Sequence, residues 1–276
     1  MTTNNALSYY LENALLNHLL TNTPYTSAST IFLALYLTTP GKNDIGTEVS
    51  GGGYSASPCP TFAITGSGAY NSTEMRFGEA TEDWGNINYM GLRGDGNLLF
   101  WGNLENVISP TVNQVVKTDP YISVNLSGNE DMGWGAGVSA ALLDFILNDG
   151  SYSSGSCVYL AMGRSVIYNS SYNLTSWTEV SAADYSRQLI SASSWSAVTL
   201  GITDIQHEIL FTESAQANWG IISHMVLYDQ ETNGSPIMWG KLADSYIVSV
   251  GDGVKFPSDY IWVSAHLSVP GFRSEE

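Results

Sequence analysis

Residues 14–22 (ALLNHLLTN) return 127 positions later as residues 141–149 (ALLDFILND), and residues 30–35 (TIFLAL) return at the same shift as residues 157–162 (CVYLAM). Further pairs follow at shifts that grow steadily and never reverse: Tyr54 with Tyr185, Trp84-Gly85 with Trp219-Gly220, and Trp101-Gly102 with Trp239-Gly240. Small insertions in the loops of a duplicated domain produce such a pattern, whereas chance matches would scatter. The chain is therefore predicted to be a tandem repeat, with a period long enough for each copy to be a domain.

The two copies define the predicted domain organisation. The first repeat domain is predicted at residues 1–127 and the second at residues 138–276, with a Gly-rich linker at 128–137 that includes Trp134-Gly135. Each copy opens with apolar residues at helical spacing and continues as short strands separated by turn signals. This order predicts a mainly β (α+β) fold with two similar tandem domains. Each domain is predicted to be an N-terminal helix packed on a small antiparallel β-sandwich.

Individual strands can also be placed. The apolar run 31–37 predicts a central strand that is buried on both faces. The turn signals 94–97 (GDGN) and 231–234 (ETNG) each predict a hairpin between two strands. The final strands of the two copies are predicted at residues 121–126 and 260–267.

The composition excludes several classes of function. The chain has 276 residues, with 9 Lys and Arg against 26 Asp and Glu, so its formal net charge at pH 7 is −17. Such a surface repels phosphate backbones and anionic lipid headgroups, so neither nucleic acid nor a membrane is expected as a partner. The longest clean apolar run has seven residues, too few to span a bilayer. The first residues (MTTNN) lack the pattern of a secretory signal, so we expect no export.

Candidate catalytic and metal-binding residues are few. None of the four histidines has a histidine at the matching place of the other copy, and none has the spacing of a zinc site: His18, His207, His224 and His266. Asp204 lies near His207, but in a chain this rich in serine such proximity is uninformative for a hydrolase triad. Residues 51–53 (GGG) lack the Lys that would follow in a phosphate-binding loop. We predict no catalytic residues, no metal, no cofactor and no enzymatic activity.

The positions that repeat are aromatic residues and glycines. We call them the structural repeat motif: Tyr54, Trp84, Gly85, Trp101 and Gly102 in the first copy, and Tyr185, Trp219, Gly220, Trp239 and Gly240 in the second. In the Trp-Gly pairs the indole is predicted to anchor the core, and the glycine to let the backbone bend or approach a neighbour. The alternative is that these tryptophans are exposed and stack on carbohydrate. The acids beside Trp84, Glu82 and Asp83, are replaced by Ala217 and Asn218 in the second copy, which favours a solvated loop over paired catalytic carboxylates.

Several segments resemble a family of tailed-bacteriophage and prophage virion proteins that are often labelled tail fibre proteins. The resemblance is carried by residues 10–20 (YLENALLNHLL), 31–40 (IFLALYLTTP), 46–55 (GTEVSGGGYS) and 98–104 (LLFWGNL), and it covers nearly all of residues 6–126. The second copy keeps it more weakly, because it has lost the Gly triplet. Members of this family usually carry one copy, so the duplication is a departure.

The resemblance implies a non-enzymatic structural protein of a phage virion, assembled in the cytoplasm of the host. A Lys-poor acidic surface would be repelled by packaged DNA, which places the chain on the particle exterior. We expect a capsid decoration (cement) role or an accessory role at the head–tail junction. The alternative is a tail fibre-type protein or a carbohydrate-binding module that contacts host glycans. The expected partners are capsid, collar or tail proteins and further copies of the chain in a homo-oligomer.

Overall fold

The computed structural model describes residues 2–66, 68–71, 73–118, 122–155 and 157–265. The prediction of a mainly β fold is confirmed, because 45% of the chain is in strands and 11% in helix. The chain divides into two compact units, each with its own antiparallel sheets. The predicted packing of a helix on a β-sandwich in each domain stays a prediction.

The first unit is built around a five-stranded sheet of order β1-β8-β7-β2-β3. Two smaller sheets, β10-β5-β4 and β6-β9, complete it. The elements are β1 (Thr2–Leu7), α1 (Tyr9–Leu20), β2 (Ile31–Tyr36), β3 (Ser57–Pro58), β4 (Ala63–Thr65), β5 (Gly68–Asn71), β6 (Arg76–Glu79), β7 (Ile87–Gly94), β8 (Asn97–Ile108), β9 (Val115–Lys117) and β10 (Ile122–Asn125). The predicted central strand is present as β2, which lies between β7 and β3 and is buried at every position except Phe32, so its burial on both faces is incomplete.

The second unit contains a larger sheet of order β11-β18-β17-β12-β13, in which β14 also pairs with β12. The sheets β15-β20 and β16-β19 complete it. The elements are β11 (Met132–Trp134), α2 (Ala136–Asn148), β12 (Cys157–Tyr168), β13 (Leu174–Glu179), β14 (Gln188–Ser191), a 3₁₀ turn (Ala192–Ser194), β15 (Ile202–Asp204), β16 (Ile209–Thr212), β17 (Gly220–Tyr228), β18 (Pro236–Val248), β19 (Val254–Phe256) and β20 (Trp262–Ser264). Of the final strands predicted at 121–126 and 260–267, β10 and β20 are present, while Tyr121, His266 and Leu267 lie outside the described residues.

The two large sheets pair their strands in the same register. Phe32 of β2 lies opposite Arg93 of β7, and its repeat counterpart Tyr159 of β12 lies opposite Tyr228 of β17. Both predicted hairpins are present, β7-β8 in the first unit and β17-β18 in the second. In the first hairpin Asp95 and Gly96 both have positive φ, +49° and +80°, as a type I′ turn requires. The tandem repeat is therefore visible in the strand pairing as well as in the sequence.

The segment predicted as a linker, residues 128–137, is ordered structure in the second unit. It contains β11, which pairs with β18, and the first residues of α2. Its glycines allow close approach: a Cβ on Gly133 would lie 2.1 Å from the carbonyl oxygen of Tyr172, and one on Gly135 1.7 Å from that of Pro236. A Gly-rich stretch therefore marks tight packing at this place. Trp134, only 2% exposed, belongs to this packed strand.

Each compact unit draws on both halves of the chain. The first combines Met1–Glu12, Thr26–Asn125 and Ala140–Tyr152, and the second combines Asn13–Tyr25, Leu126–Ser139 and Ser153–Glu276. The C-terminal part of α2 thus belongs to the unit that contains β2, and most of α1 to the unit that contains β12. The limits 1–127 and 138–276 describe the sequence repeats, and as domain limits they stay a prediction.

Side-chain hydrogen bonds hold two helix segments in their units: the part of α2 that belongs to the first unit and the part of α1 that belongs to the second. In the first unit, Asn148 of α2 accepts from the backbone N–H of Phe62 at 2.8 Å and donates to the Phe62 carbonyl oxygen at 2.9 Å. Ser27 donates to the Asp149 carboxylate at 2.7 Å. In the second unit, the Asn13 side chain of α1 accepts from the N–H of Gly201 at 2.7 Å. A helix end that satisfies the backbone of a distant strand or loop contributes to the stability of that unit.

Replacing Asn148 with alanine is expected to destabilise the first unit by about 1–3 kcal/mol, because the polar backbone groups of the buried Phe62 would lose both partners. Urea unfolding measures the loss, and amide hydrogen exchange should show faster exchange at Phe62. The matched control is Thr21→Ala, at the matching place of the first repeat and one residue past α1, since among the described residues the Thr21 side chain bonds only to Asn17 and Thr23. Equal losses in the two variants would contradict the role assigned to Asn148.

Candidate functional site

A cluster of aromatic rings around one tyrosine lies in the first unit. The Tyr54 hydroxyl accepts from the backbone N–H of Leu35 at 3.0 Å and donates to the Glu48 carboxylate at 3.0 Å. Its ring stacks on Phe77, with centroids 6.3 Å apart, and meets the Trp84 ring edge-on at 5.4 Å. The hydroxyl thus ties β2 to the carboxylate while the ring packs in the core.

The second unit contains the same cluster. The Tyr185 hydroxyl accepts from the backbone N–H of Met162 at 2.8 Å and donates to the Glu179 carboxylate at 3.1 Å. Its ring stacks on Phe211 at 6.1 Å and meets Trp219 edge-on at 5.4 Å. We call this arrangement, in either unit, the tyrosine–carboxylate cluster. Its members in the two units are Glu48, Tyr54, Phe77 and Trp84, and Glu179, Tyr185, Phe211 and Trp219.

The glycine of the first Trp-Gly pair is required by the backbone. Gly85 and Gly220 both have φ of +80°, a conformation that side-chain-bearing residues rarely adopt. The chain can therefore turn sharply after Trp84 and after Trp219 while each indole stays in the core.

The two units satisfy the indole N–H of this tryptophan differently. Trp84 donates to the carbonyl oxygen of Gly52 at 2.8 Å, whereas Trp219 donates to the Asp184 carboxylate at 3.1 Å. A Cβ on Gly52 would lie 2.9 Å from the Trp84 indole nitrogen, so the Gly triplet packs directly against this ring. The backbone N–H of Gln216 also donates to Asp184, and these bonds lower the pKa of that carboxyl. The second copy could lose the triplet because an aspartate takes over the hydrogen bond.

The other Trp-Gly pair of the motif lies apart from the tyrosine–carboxylate cluster, on β8 and β18. Trp239 is fully buried and donates to the carbonyl oxygen of Tyr172 at 2.9 Å. Trp101 is half-buried, and its indole nitrogen has no hydrogen-bond partner among the described residues. Trp84 is 5% exposed and Trp219 0%. Fully buried indoles cannot stack on a sugar, so the carbohydrate alternative lacks the exposed Trp84, Trp219 and Trp239 that it needs.

Each unit also holds one guanidinium at the turn of its long hairpin. In the second unit Arg187 donates to both oxygens of Glu179, at 2.9 and 2.8 Å. It also donates to the carbonyl oxygens of Gln230 and Asn233 in the β17-β18 turn. The guanidinium carbon lies 3.5 Å from the centre of the Tyr228 ring, a cation–π contact.

In the first unit the arginine comes from a different strand. Arg93 of β7 donates to the carbonyl oxygen of Gly96 in the β7-β8 turn, to the Asp44 carboxylate at 2.8 Å and to the Tyr36 hydroxyl. In the strand pairing, Arg93 of the first unit has the place that Tyr228 has in the second unit. The residue of the first copy that matches Arg187 is Ala56. The structural repeat motif includes neither arginine, because it contains only residues shared by the two copies and neither arginine has an arginine at the matching position.

The remaining polar candidates lie apart from this cluster. The side chain of His18, 7% exposed, accepts from the backbone N–H of Tyr25, which fits the packing role expected for it. Asp204 bonds to Ser196 and Gln206, and no bond to His207 is present among the described residues. Glu82 and Asp83 are exposed, as expected for a solvated loop. Over the described ranges, no three His, Cys, Asp or Glu side chains are grouped closely enough to hold a metal ion.

Within the same ranges, no helix has the length and apolar character needed to cross a membrane. The model of one protein family, described as Podophage GP4 fiber I protein gp80, matches residues 6–120 and again residues 134–264. The chain belongs to the gp80 fibre family. No match was found among curated proteins.

The two gp80 segments coincide with the two repeats. Each segment contains one tyrosine–carboxylate cluster, so the cluster belongs to the part of the chain that the family model describes. The gp80 family is one of phage structural fibre proteins, which identifies the chain as a fibre-type structural protein and a virion component. The resemblance inferred from the sequence is thereby confirmed.

Alkaline pH is expected to destabilise the protein through its buried tyrosines. Burial raises the pKa of Tyr54 and Tyr185, and it raises the pKa of Tyr36 to about 12. In the unfolded chain these hydroxyls ionise at pH ~10. The stability that the buried, neutral tyrosines contribute to the folded state is therefore complete below that pH and is lost as the pH rises through their folded-state pKa. For Tyr36, which is 1% exposed, the loss is about 2–3 kcal/mol by pH ~12.

Urea unfolding at increasing pH, together with the phenolate absorbance, measures this effect. The midpoint should fall above pH ~10, and the buried tyrosines should ionise only as the chain unfolds. The variant Tyr36→Phe should show a smaller fall. Complete ionisation of all tyrosines near pH ~10 in a chain that keeps its native near-ultraviolet circular dichroism would contradict this prediction.

Proposed function

We propose that the chain is a non-enzymatic building block of a fibre on the exterior of a tailed phage. The observation that carries the proposal is the match of the gp80 family to both halves of the chain. In both halves the tyrosine–carboxylate cluster directs its hydroxyl and carboxylate toward its own backbone and side chains. Such a cluster holds loops in place, as a structural subunit requires, and leaves few polar groups for a reaction.

The exterior location is supported by charge. With a net charge of −17, the chain would be repelled by packaged DNA and would remain soluble at high local concentration. Partners are proposed to be other virion proteins and further copies of the chain. Because each chain supplies two similar units, an assembly of these chains needs half as many copies as one made of single-unit subunits.

Immunogold electron microscopy of the phage that encodes the chain tests the location. Antibodies raised against the purified chain should label fibres that project from the particle. Label spread evenly over the shell would replace the fibre role by capsid decoration, and label confined to the neck would replace it by a head–tail junction role. Purified particles without label would overturn the assignment to the virion exterior.

The number of chains in each assembly is a separate test. Mass photometry of the purified chain should give oligomers, and cryo-electron microscopy of the fibre should show the two units of one chain at quasi-equivalent positions. Monomers in solution, combined with a fibre in which the two units take unrelated positions, would contradict the proposed use of the duplication.

A further inference from the structure

Arg187 of the second unit and Ala56 of the first lie at equivalent places of the two sheets, so the contacts of Arg187 show what a guanidinium at this place can bind. Arg187 directly precedes β14, and Ala56 directly precedes β3. Both strands pair with equivalent residues: Ser57 lies opposite Leu33, and Gln188 opposite Leu160. The Cα atoms of Ala56 and Arg187 therefore take the same place in the two units.

In the second unit the carboxylate at this place is paired from within the chain, and a cleft of about 340 Å³ remains beside Glu179 and Arg187. The Arg187 side chain is only 10% exposed and makes a paired contact with the Glu179 carboxylate. A planar, two-point contact with a carboxylate is characteristic of a guanidinium, and an ammonium cannot make it. Glu179 accepts at the same time from the Tyr185 hydroxyl, so its oxygens are well satisfied.

In the first unit the same place is open. Glu48 has the position of Glu179 and accepts from the Tyr54 hydroxyl, but among the described residues it has no ion-pair partner. A cleft of about 460 Å³ lies beside it, with Ala56, Phe32, Arg93 and Asp95 also in its walls. The Phe32 ring is 39% exposed and provides an apolar wall.

Arg93 does not take the missing role, although it lies in the wall of the cleft. Its guanidinium is held by Asp44, by the Tyr36 hydroxyl and by the carbonyl oxygen of Gly96. The carboxylates of Glu48 and Asp95 therefore leave the cleft with an excess of negative charge. A planar cation that can meet Glu48 as Arg187 meets Glu179 is the complementary group.

The chain itself has few cations to offer. Of its nine lysines and arginines, the eight in the described ranges all bond to a carboxylate or a backbone carbonyl oxygen of their own unit: Lys42, Arg76, Arg93, Lys117, Arg164, Arg187, Lys241 and Lys255. Arg273 lies outside the described residues. Since each ammonium and guanidinium of the described residues is already engaged, we look to another protein for the guanidinium of the cleft.

We propose that the cleft between Glu48, Phe32 and Ala56 binds the guanidinium of an arginine side chain from a neighbouring protein. The identity of that neighbour as a virion protein rests on the proposed function, whereas the chemistry of the cleft does not. The second unit pairs the equivalent carboxylate with Arg187, so one chain offers one such site. The duplication thus yields one unit with a carboxylate that lacks an ion-pair partner among the described residues and one unit in which the carboxylate is paired.

The direct test is a titration of the full chain with N-acetyl-arginine amide, followed by the backbone amide resonances in nuclear magnetic resonance. We expect saturable shifts centred on Glu48 and Ala56, and weaker binding of N-acetyl-lysine amide, whose ammonium cannot make the two-point contact. Glu48→Gln should weaken arginine binding by about tenfold or more.

Two further variants use the second unit as a control. Ala56→Arg should fold, since Arg187 is accommodated in the same register, and should lose arginine binding because the new guanidinium pairs with Glu48. Arg187→Ala should leave Glu179 without its ion pair and raise the number of arginine sites from one to two. If Ala56→Arg fails to fold, Glu48→Gln and Arg187→Ala still decide the question.

Absence of saturable shifts in the wild-type chain, or equal binding in the Glu48→Gln variant, would overturn the proposal. Shifts at the cleft with galactose but not with the arginine amide would also overturn it and assign the cleft to a saccharide. The result is independent of the immunogold experiment. Arginine binding without label on fibres would support the proposed role of the cleft and contradict the proposed location. Label on fibres without arginine binding would support the location and contradict the role of the cleft.

Discussion

Replacing Gly135 with alanine is expected to destabilise the second unit by about 3 kcal/mol or more, the upper end for overpacking. The new Cβ would lie 1.7 Å from the carbonyl oxygen of Pro236, far inside van der Waals contact. The neighbouring atoms are backbone, so no side-chain rotation can relieve the clash. Relief would require β11 to move away from β18, which would break the pairing of Met132 with Gly240 and of Trp134 with Met238. Urea unfolding of the purified variant measures the loss.

Gly137, two residues further along, is the matched control. It is exposed in the first turn of α2, and a Cβ at this position would meet no atom within 4 Å. Alanine there should stabilise the chain by up to about 1 kcal/mol, because alanine loses less conformational entropy than glycine in a helix. Opposite signs for the two substitutions are the expected result. A loss below about 1 kcal/mol for Gly135→Ala would show that 128–137 is a loosely packed linker.

Replacing Trp219 with alanine is expected to cost about 3–5 kcal/mol, the range for deleting a buried aromatic side chain. The indole is 0% exposed, meets the Tyr185 ring edge-on and donates to Asp184. Its loss would leave a cavity under the tyrosine–carboxylate cluster and remove a donor from the aspartate. Trp84→Ala should cost a similar amount in the first unit, because that ring has the same place in its cluster. Denaturant unfolding measures both losses.

The contribution of the indole N–H can be separated from that of packing. Trp219→Phe removes the hydrogen bond to the Asp184 carboxylate in addition to part of the ring. Trp101→Phe removes a similar volume, but the Trp101 nitrogen has no hydrogen-bond partner among the described residues. The substitution at Trp219 should therefore be the more costly of the two. Equal costs would mean that the Asp184 contact adds nothing to packing.

The buried motif tryptophans change how the repeat is understood. Residues that persist between the two copies hold each unit together, whereas the arginine at the hairpin turn and the partner of the indole N–H differ. Tyr54 and Tyr185 keep both their carboxylate and their backbone partner across the duplication. The differences lie at Ala56 and Arg187, where the two units have diverged in charge. A functional difference between the units is therefore best sought at that pair.

The sequence by itself determined the duplication, the mainly β fold and the family. Local signals suffice for these: Asp95-Gly96 predicts its hairpin because few residues tolerate two successive positive φ angles. The apolar run of β2 likewise predicts a central strand, although its Phe32 is exposed. The recurrence of Tyr54 and Trp84 in the same order in the second copy, as Tyr185 and Trp219, also pointed to a shared structural role.

Only the tertiary structure decided the rest. The glycines of 128–137 have the composition of a linker, and the tight approach of β11 to β18 depends on atoms far away in the sequence. The Asn148 contact with Phe62 and the equivalent place of Arg187 and Ala56 join residues from different parts of the chain. The periodicity of a sequence reports which face of an element is apolar, but it carries no information about which distant backbone that face will meet.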